Sequence, residues 1–388
     1  MIARPLDGMT VVSLEQAVAA PFATRQLADL GARVIKIERD AGDFARGYDT
    51  SVNGLASYFV WLNRSKESMV LDLKSADDLD ALKELVRTAD IVVQNLAPGA
   101  VERLGIGPDD ALALNPALIY ASISGYGSTG PYRSKKAYDL LIQCEAGLLS
   151  VTGTPETASK VGISIADIAA GMYAYSGILA AVIQRGRTGR GQKLEISMLE
   201  ALAEWMSQPQ LYAAYGGTAP ARTGASHASI APYGPFACSD GTVFLAVQNE
   251  REWRRFCATV VGDDALADDA RFVTNTLRVA NRPALLAAIE PVLSPLTRDE
   301  VVRRLDEAEI ANAALRDMGG LTGHPQLEAR DRWRQIDTPN GEARVLLPPV
   351  TAEWQPVMGA VPALGADTAR IRAEIDRMRE STRTHNIM

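Results

Sequence analysis

Histidine and cysteine are scarce, three of each in 388 residues. His227, His324 and His385 stand alone, with no HExxH or Cys/His ligand spacing, so no metal centre is indicated. Cys144, Cys238 and Cys257 are odd in number and far apart. They form neither a disulfide framework nor a CxxC pair, and a reducing compartment, the cytoplasm, is the expectation. Aromatic residues make up only 6%, which argues against base-stacking platforms. Positive charge is also short: 40 Lys+Arg face 47 Asp+Glu, a net charge of −7, unsuited to wrapping nucleic acid. A GxSxG elbow is missing, so a Ser-His-Asp hydrolase lacks its nucleophile turn. The opening MIARPLDGMTVVSLEQ has no continuous apolar core after a basic start, and no secretory signal is expected.

What is present is ordinary globular material, 47% apolar and 22% charged, in a chain long enough for two domains. The first 200 residues alternate short apolar runs with helical patterns, which predicts α/β architecture around a mostly parallel sheet. Strands are expected at 10–14, 34–37, 69–73, 90–93, 118–122 and 193–196. The stretch 75–89 reads as a helix, with Leu79, Leu82, Leu85, Val86 and Ala89 on one face and a capping-box pair, Ser75 and Asp78. Composition shifts around YGGTAPARTGAS, a linker signal. The expected division is a large domain over 1–210, a linker over 211–228, a small domain over 229–325, and a return segment over 326–388. That last segment ends in a helix over 366–378 and a frayed polar tail from residue 380.

Two features need weighing. Gly125-Tyr126-Gly127-Ser128-Thr129-Gly130 follows an expected strand and has the form GxGxxG. A dinucleotide site would need a helix starting inside it, and PYRSKK reads as loop instead. The second is residues 161–183, VGISIADIAAGMYAYSGILAAVI, long enough to cross a bilayer and carrying one charge, Asp167. A carboxylate at the centre of a membrane helix costs about 2.5–3.5 kcal/mol, so a helix buried in a soluble protein is expected, with no membrane partner. Asp167 then has two readings. It is an N-cap, worth ~1 kcal/mol, or a poorly hydrated nucleophile kept ionised by the helix N-terminus. Cations fall where βα loops should open, at Arg39, Lys74, Arg103 and Lys135-Lys136, a pattern that suits a phosphorylated ligand.

The chain resembles the class III CoA-transferases, the formyl-CoA and carnitine type. The resemblance runs from about Pro5 to Leu364 and is carried, in order, by PLDGMTVVSLEQAVAAPFATRQLADLGARVIKIER, NRSKESMVLDLK, VVQNLAPGAVERLG, SGYGSTGP, KAYDLLIQCEAGLLSVTG, ADIAAGMYAYSGILAA, TGRGQ and RTGASHASIAPYGPF. It implies a Rossmann-like large domain built from both chain ends, a smaller α+β domain, and a homodimer interlocked like chain links. It places the catalytic aspartate on Asp167. CoA contacts are implied at Val18, Ala19, Arg39, Leu71, Asp72, Leu73, Lys74, Asn95, Leu96, Arg103 and Lys136. No cofactor is held permanently; coenzyme A and acyl-CoA are substrates.

The implied chemistry is transfer of CoA from an acyl-CoA, with succinyl-CoA expected, to a small dicarboxylate such as itaconate, mesaconate or citramalate. Gln16, Tyr138, Arg222 and His227 are the candidate substrate residues, and the backbone of residues 16–18 or a small-domain loop is the expected oxyanion donor. The glycine run of the formyl-CoA branch is reduced here to Gly224 and the Tyr233-Gly234-Pro235 turn, which argues against a formyl/oxalate pair. The α-methylacyl-CoA racemases of the same family carry a histidine where this chain has Tyr138. A phenol with a pKa near ~10 is a poor base at neutrality. Racemization and, more remotely, nicotinamide-dependent redox chemistry are the alternatives.

Overall fold

Runs of β-branched and aliphatic residues bounded by charge and glycine become strands buried on both faces, as parallel strands covered by helices must be. The computed structural model of the chain describes residues 2–217 and 219–385. It divides into two compact units. The first comprises 1–146, 161–207 and 327–388, and the second Gly147–Lys160 and Gln208–Gln326.

In the first unit, β1 (Thr10–Leu14), β2 (Arg33–Glu38), β3 (Lys66–Val70), β4 (Ile91–Gln94), β5 (Ile119–Ser124) and β6 (Gln192–Ser197) form one six-stranded sheet in the order 3-2-1-4-5-6. Every pairing is parallel. This is the doubly wound order, with its topological switch between β1 and β4. Helices α1 (Ala19–Asp29), α2 (Ser57–Asn63) and α3 (Ala76–Thr88) follow early strands, and a long helix spans Ile165–Thr188. Chain reversal at the C-terminus adds a two-stranded ribbon, β10 (Trp333–Thr338) with β11 (Gly341–Leu346), and a helix, Thr368–His385. All six sheet strands come from the first 200 residues; the C-terminal part contributes a covering helix, whose Ile371 and Ile375 join the core of Val12, Ile35, Leu82 and Val92.

The second unit holds an antiparallel sheet, β7 (Tyr233–Cys238), β8 (Gly241–Ala246) and β9 (Ala311–Ala314), covered by helices around Trp253, Phe256 and Phe272.

Several sequence expectations shift. The third strand begins three residues earlier than its apolar run, at Lys66, because Lys66 and Ser68 are buried polar residues with partners inside the protein. It ends at Val70, where Leu71 to Lys74 turn away around the Asp72 side chain, which accepts the Lys74 N–H at 3.0 Å. The capping box is not made: the Ser75 hydroxyl accepts no helix amide, and Asp78 instead accepts the Asp72 N–H at 2.7 Å and pairs with Arg372. Part of the expected linker is helical, Ser207–Gly216. Residues 147–160, read as part of the large domain, pack within the second unit. The C-terminal helix runs to His385, beyond the point where fraying was expected; residues 386–388 of that tail lie outside the described residues.

Candidate active site

The sheet order decides where ligands meet the first unit. The chain winds in opposite directions from the paired strands β1 and β4, the switch point, and a cavity of about 260 Å³ opens at the carboxyl ends of β1, β2 and β3. Six of the predicted CoA residues line it: Arg39, Leu71, Asp72, Leu73, Lys74 and Leu96. The predicted substrate residue Gln16 lines it too. Asn95 does not line it but clamps its wall, its Oδ1 accepting the Gln16 N–H at 2.9 Å and its Nδ2 donating to the Gln16 carbonyl at 2.8 Å. Val18 and Ala19 are buried where the chain enters α1. Arg103 is exposed beside Gly99, and Lys136 is exposed in the loop after β5.

Asp167 lies in the first turn of the long helix, but it is not the cap. Ser164 occupies the N-cap position, but its side chain makes no capping bond, and the orphan amides are served from outside the helix. Asp139 Oδ1 accepts the Ala166 N–H at 2.8 Å and the Asp167 N–H at 3.4 Å. The capping reading of Asp167 is thereby overturned, because a distant carboxylate has taken the role. The Asp167 carboxylate instead faces the backbone amide of Ala19, the first residue of α1, which favours its ionised form. It is thus placed between two helix N-termini. Burial pushes its pKa up to about 7, the neighbouring Asp139 charge adds to the rise, and the Ala19 amide opposes it.

Close approach of α1 and the long helix makes this contact possible. A Cβ at Gly171, one turn beyond Asp167, would stand 2.6 Å from the Ala19 carbonyl oxygen and 2.9 Å from the Phe22 ring. Only glycine permits that spacing.

Tyr48 and Tyr58 complete the surroundings, and sequence reasoning missed both. Tyr58 shares a hydrogen bond of 3.1 Å with Ser164, and its ring lies 5.7 Å from that of Tyr48. The Tyr48 phenol is pushed up to about 12 by burial, then by the charges of Asp43 and Asp167. Tyr138, 67% exposed, starts the Asp139–Glu145 helix and also interacts electrostatically with Tyr48. Neither missed tyrosine sits in a motif; only folding brings Tyr48 within reach of the Asp167 charge and Tyr58 to Ser164 at the start of its helix.

The remaining predicted residues belong to the second unit. Arg222 donates from Nε to the Thr154 carbonyl and from a terminal nitrogen to that of Pro155, both at 2.8 Å, tying down a loop. His227 stacks on Tyr233 with ring centroids 5.0 Å apart, and its Nδ1 accepts the Ser229 N–H.

The glycine motif makes no dinucleotide turn. No helix opens within it, the next one starting at Asp139. Gly125 is required by packing, since a Cβ there would stand 2.2 Å from the Ala137 Cβ. Glu195 binds the Ser128 hydroxyl at 2.9 Å and also its amide. Among the described residues, no group of three or more His, Cys, Asp or Glu is placed to hold a metal ion.

Comparison with known proteins gives a consistent picture. The profile of CoA-transferase family III matches residues 6–368. Acetyl-CoA:oxalate CoA-transferase of Acetobacter aceti is 37% identical over 330 residues, 84% of this chain and 85% of that protein. Succinate–glutarate CoA-transferase of Agrobacterium fabrum is 32% identical over 387 residues, 96% of each. The crystal structure of a CAIB/BAIF family protein from Brucella suis superposes with a TM-score of 0.85 at 34% identity, covering 96% of this chain and 100% of that one.

Proposed function

Because the chain belongs to CoA-transferase family III, we propose that it carries CoA from succinyl-CoA to a small dicarboxylate of the itaconate, mesaconate or citramalate type, with Asp167 as covalent nucleophile. The observation that supports this most directly is the Asp167 carboxylate, buried in the first turn of the long helix and facing the α1 N-terminus. Exchange between two carboxylates moves no net proton. Such a reaction needs an ionised acid and oxyanion donors rather than a general base.

The steps balance accordingly. Asp167 attacks the thioester carbonyl, the C–S bond breaks, and a mixed anhydride forms with release of CoA thiolate. The thiolate attacks the aspartyl carbonyl, expelling the donor acid and leaving an aspartyl-CoA thioester. The acceptor carboxylate then attacks that thioester, giving a second anhydride and thiolate. Attack by the thiolate on the acceptor carbonyl forms the new acyl-CoA and returns Asp167 as carboxylate. The Ala19 amide, which favours the ionised Asp167, is the donor we assign to each tetrahedral oxyanion at Asp167. Arg39 and Lys74 at the cavity mouth are the cations we assign to CoA phosphates.

Succinyl-CoA and a C5 acid are favoured by the similarity to the succinate–glutarate enzyme. Oxalate is the second acceptor to test, given the relative from Acetobacter aceti. Two copies are proposed to associate, since Met172, Tyr173 and Ile183 on the long helix present apolar side chains outward. The test is incubation with a panel of acyl-CoA donors and carboxylate acceptors, oxalate included, with new thioesters identified by mass spectrometry. Dicarboxylate-dependent exchange, lost in Asp167→Ala, is expected. Exchange surviving in that variant, or solvent deuterium entering Cα of an acyl-CoA without exchange, overturns the reading.

A further inference from the structure

The turn joining β1 to α1 is held in a costly conformation. Ala17 sits at φ +61, in the left-handed region that residues with a Cβ avoid. Polar contacts fix it from two sides. Asn95 clamps both backbone groups of Gln16, and Asp43 Oδ1 accepts the Ala17 N–H at 3.1 Å. Two residues later stands Ala19, packed against the long helix at Gly171, its amide acting on the Asp167 carboxylate.

Asp43 is itself only 3% exposed, and its second oxygen accepts from Lys36 Nζ at 2.9 Å. Glu15 and Lys66, paired at 2.7 Å, complete a buried group of two acids and two ammonium ions with no net charge. Burying such a group is a weak source of stability, because desolvation offsets the attraction and an apolar pair would do as well. An apolar pair cannot supply an acceptor to the Ala17 N–H. That difference points to a use in the reaction rather than in the fold.

We propose that Asp43, fixed by Lys36, is a positioning residue that holds the left-handed turn at Ala17 and thereby aims the Ala19 amide at Asp167. The claim rests on the transferase reading for its kinetic consequence, but not for its structural one.

Two double variants of the full chain preserve charge balance and separate the roles. Lys36→Met with Asp43→Asn keeps an oxygen facing Ala17. Lys36→Met with Asp43→Leu removes it. Lys36→Met with Asp43→Ala, run in parallel, serves if leucine prevents folding. In the leucine or alanine variant, kcat is expected to fall about a hundredfold with the acyl-CoA KM unchanged, as for a misplaced catalytic donor. The asparagine variant is expected to recover to within about threefold of the parent, because its acceptor is retained. Adding Ala17→Gly to the leucine variant should restore about fivefold or more, since glycine adopts positive φ freely. Asp43 Oδ1 also accepts the Ala45 N–H at 2.9 Å, capping the turn Phe44–Gly47, and loss of that cap alone would not respond to the Ala17 change.

Hydrogen–deuterium exchange provides a readout independent of turnover. Amides of residues 14–20 should exchange faster in the leucine or alanine variant than in the parent or the asparagine variant. Equal exchange across the folded variants, or parental kcat without the acceptor, overturns the proposal. Absence of any acyl-CoA exchange in the parent would sink the transferase reading while leaving the exchange comparison to decide the turn.

Discussion

Asp167 is held by opposing influences: desolvation and Asp139 favour its neutral form, and the Ala19 amide favours the anion. Its folded pKa, about 7, is well above the ordinary carboxylate value. The proton on Asp167 therefore contributes stability that is fully present below about pH 4 and is lost as pH rises through 7. An Asp167→Asn variant has no such proton to lose. It is expected to lack transferase activity yet to exceed the parent in stability at pH 8 by on the order of 2–4 kcal/mol. The gain should vanish near pH 4, as denaturant melts at both pH values would show. The same ionisation predicts that kcat/KM rises with pH through a limb near 7. Asp139→Asn keeps the capping oxygen but removes the charge, so the limb should move to lower pH. A limb unmoved in that variant would mean the charge of Asp139 does not act on the nucleophile.

Among the elements, α1 and the long helix matter most, and Gly171 sets their separation. Gly171→Ala is expected to destabilise by about 1–3 kcal/mol through overpacking and to lower kcat, because the Asp167–Ala19 contact lengthens. Gly177 lies on the same helix, but a Cβ there would meet nothing closer than Leu194 at 3.8 Å. Gly177→Ala should therefore be neutral or stabilising by up to about 1 kcal/mol. Thermal melts and steady-state kinetics on the pair distinguish a local packing requirement from a general dislike of alanine. The legibility of elements followed their chemistry. Apolar runs such as Thr10–Leu14 showed their strand plainly in sequence. The start of β3 was hidden because Lys66, fully buried and paired with Glu15, looks like a surface residue until its partner 51 positions away is known.

For the molecule as a whole, two features need cover, the β3 edge of the sheet and one face of the long helix. The β3 edge is closed by the C-terminal segment: Asp367 accepts the Ser68 N–H at 2.9 Å and Thr368 the Val70 N–H at 3.0 Å. This answers the hazard of an open strand edge within the chain itself. The long helix is different. It is apolar enough to cross a membrane by composition, and only one of its faces is buried. The expectation of a helix buried within the protein is thus met on one side alone, with Ile183 60% exposed. A homodimer covering that face is expected to give a light-scattering mass twice that of the chain, and Ile183→Glu should shift the population toward monomer. A monomeric parent would remove the basis for the association.

Local patterning alone determined the α/β class, the succession of parallel strands and the isolation of Asp167 in an apolar helix, because each depends on residues near one another in sequence. The ordered motifs likewise marked the family. Tertiary structure decided what Asp167 does with its neighbours: that Asp139 caps its helix, that Ala19 offers it an amide, and that Tyr48 and Tyr58 stand beside it. It also turned Arg222 toward the carbonyls of Thr154 and Pro155, in a loop far from it along the chain. Those outcomes depend on distances between segments far apart along the chain, set by helix packing at Gly171 and by buried charges that find partners only on folding.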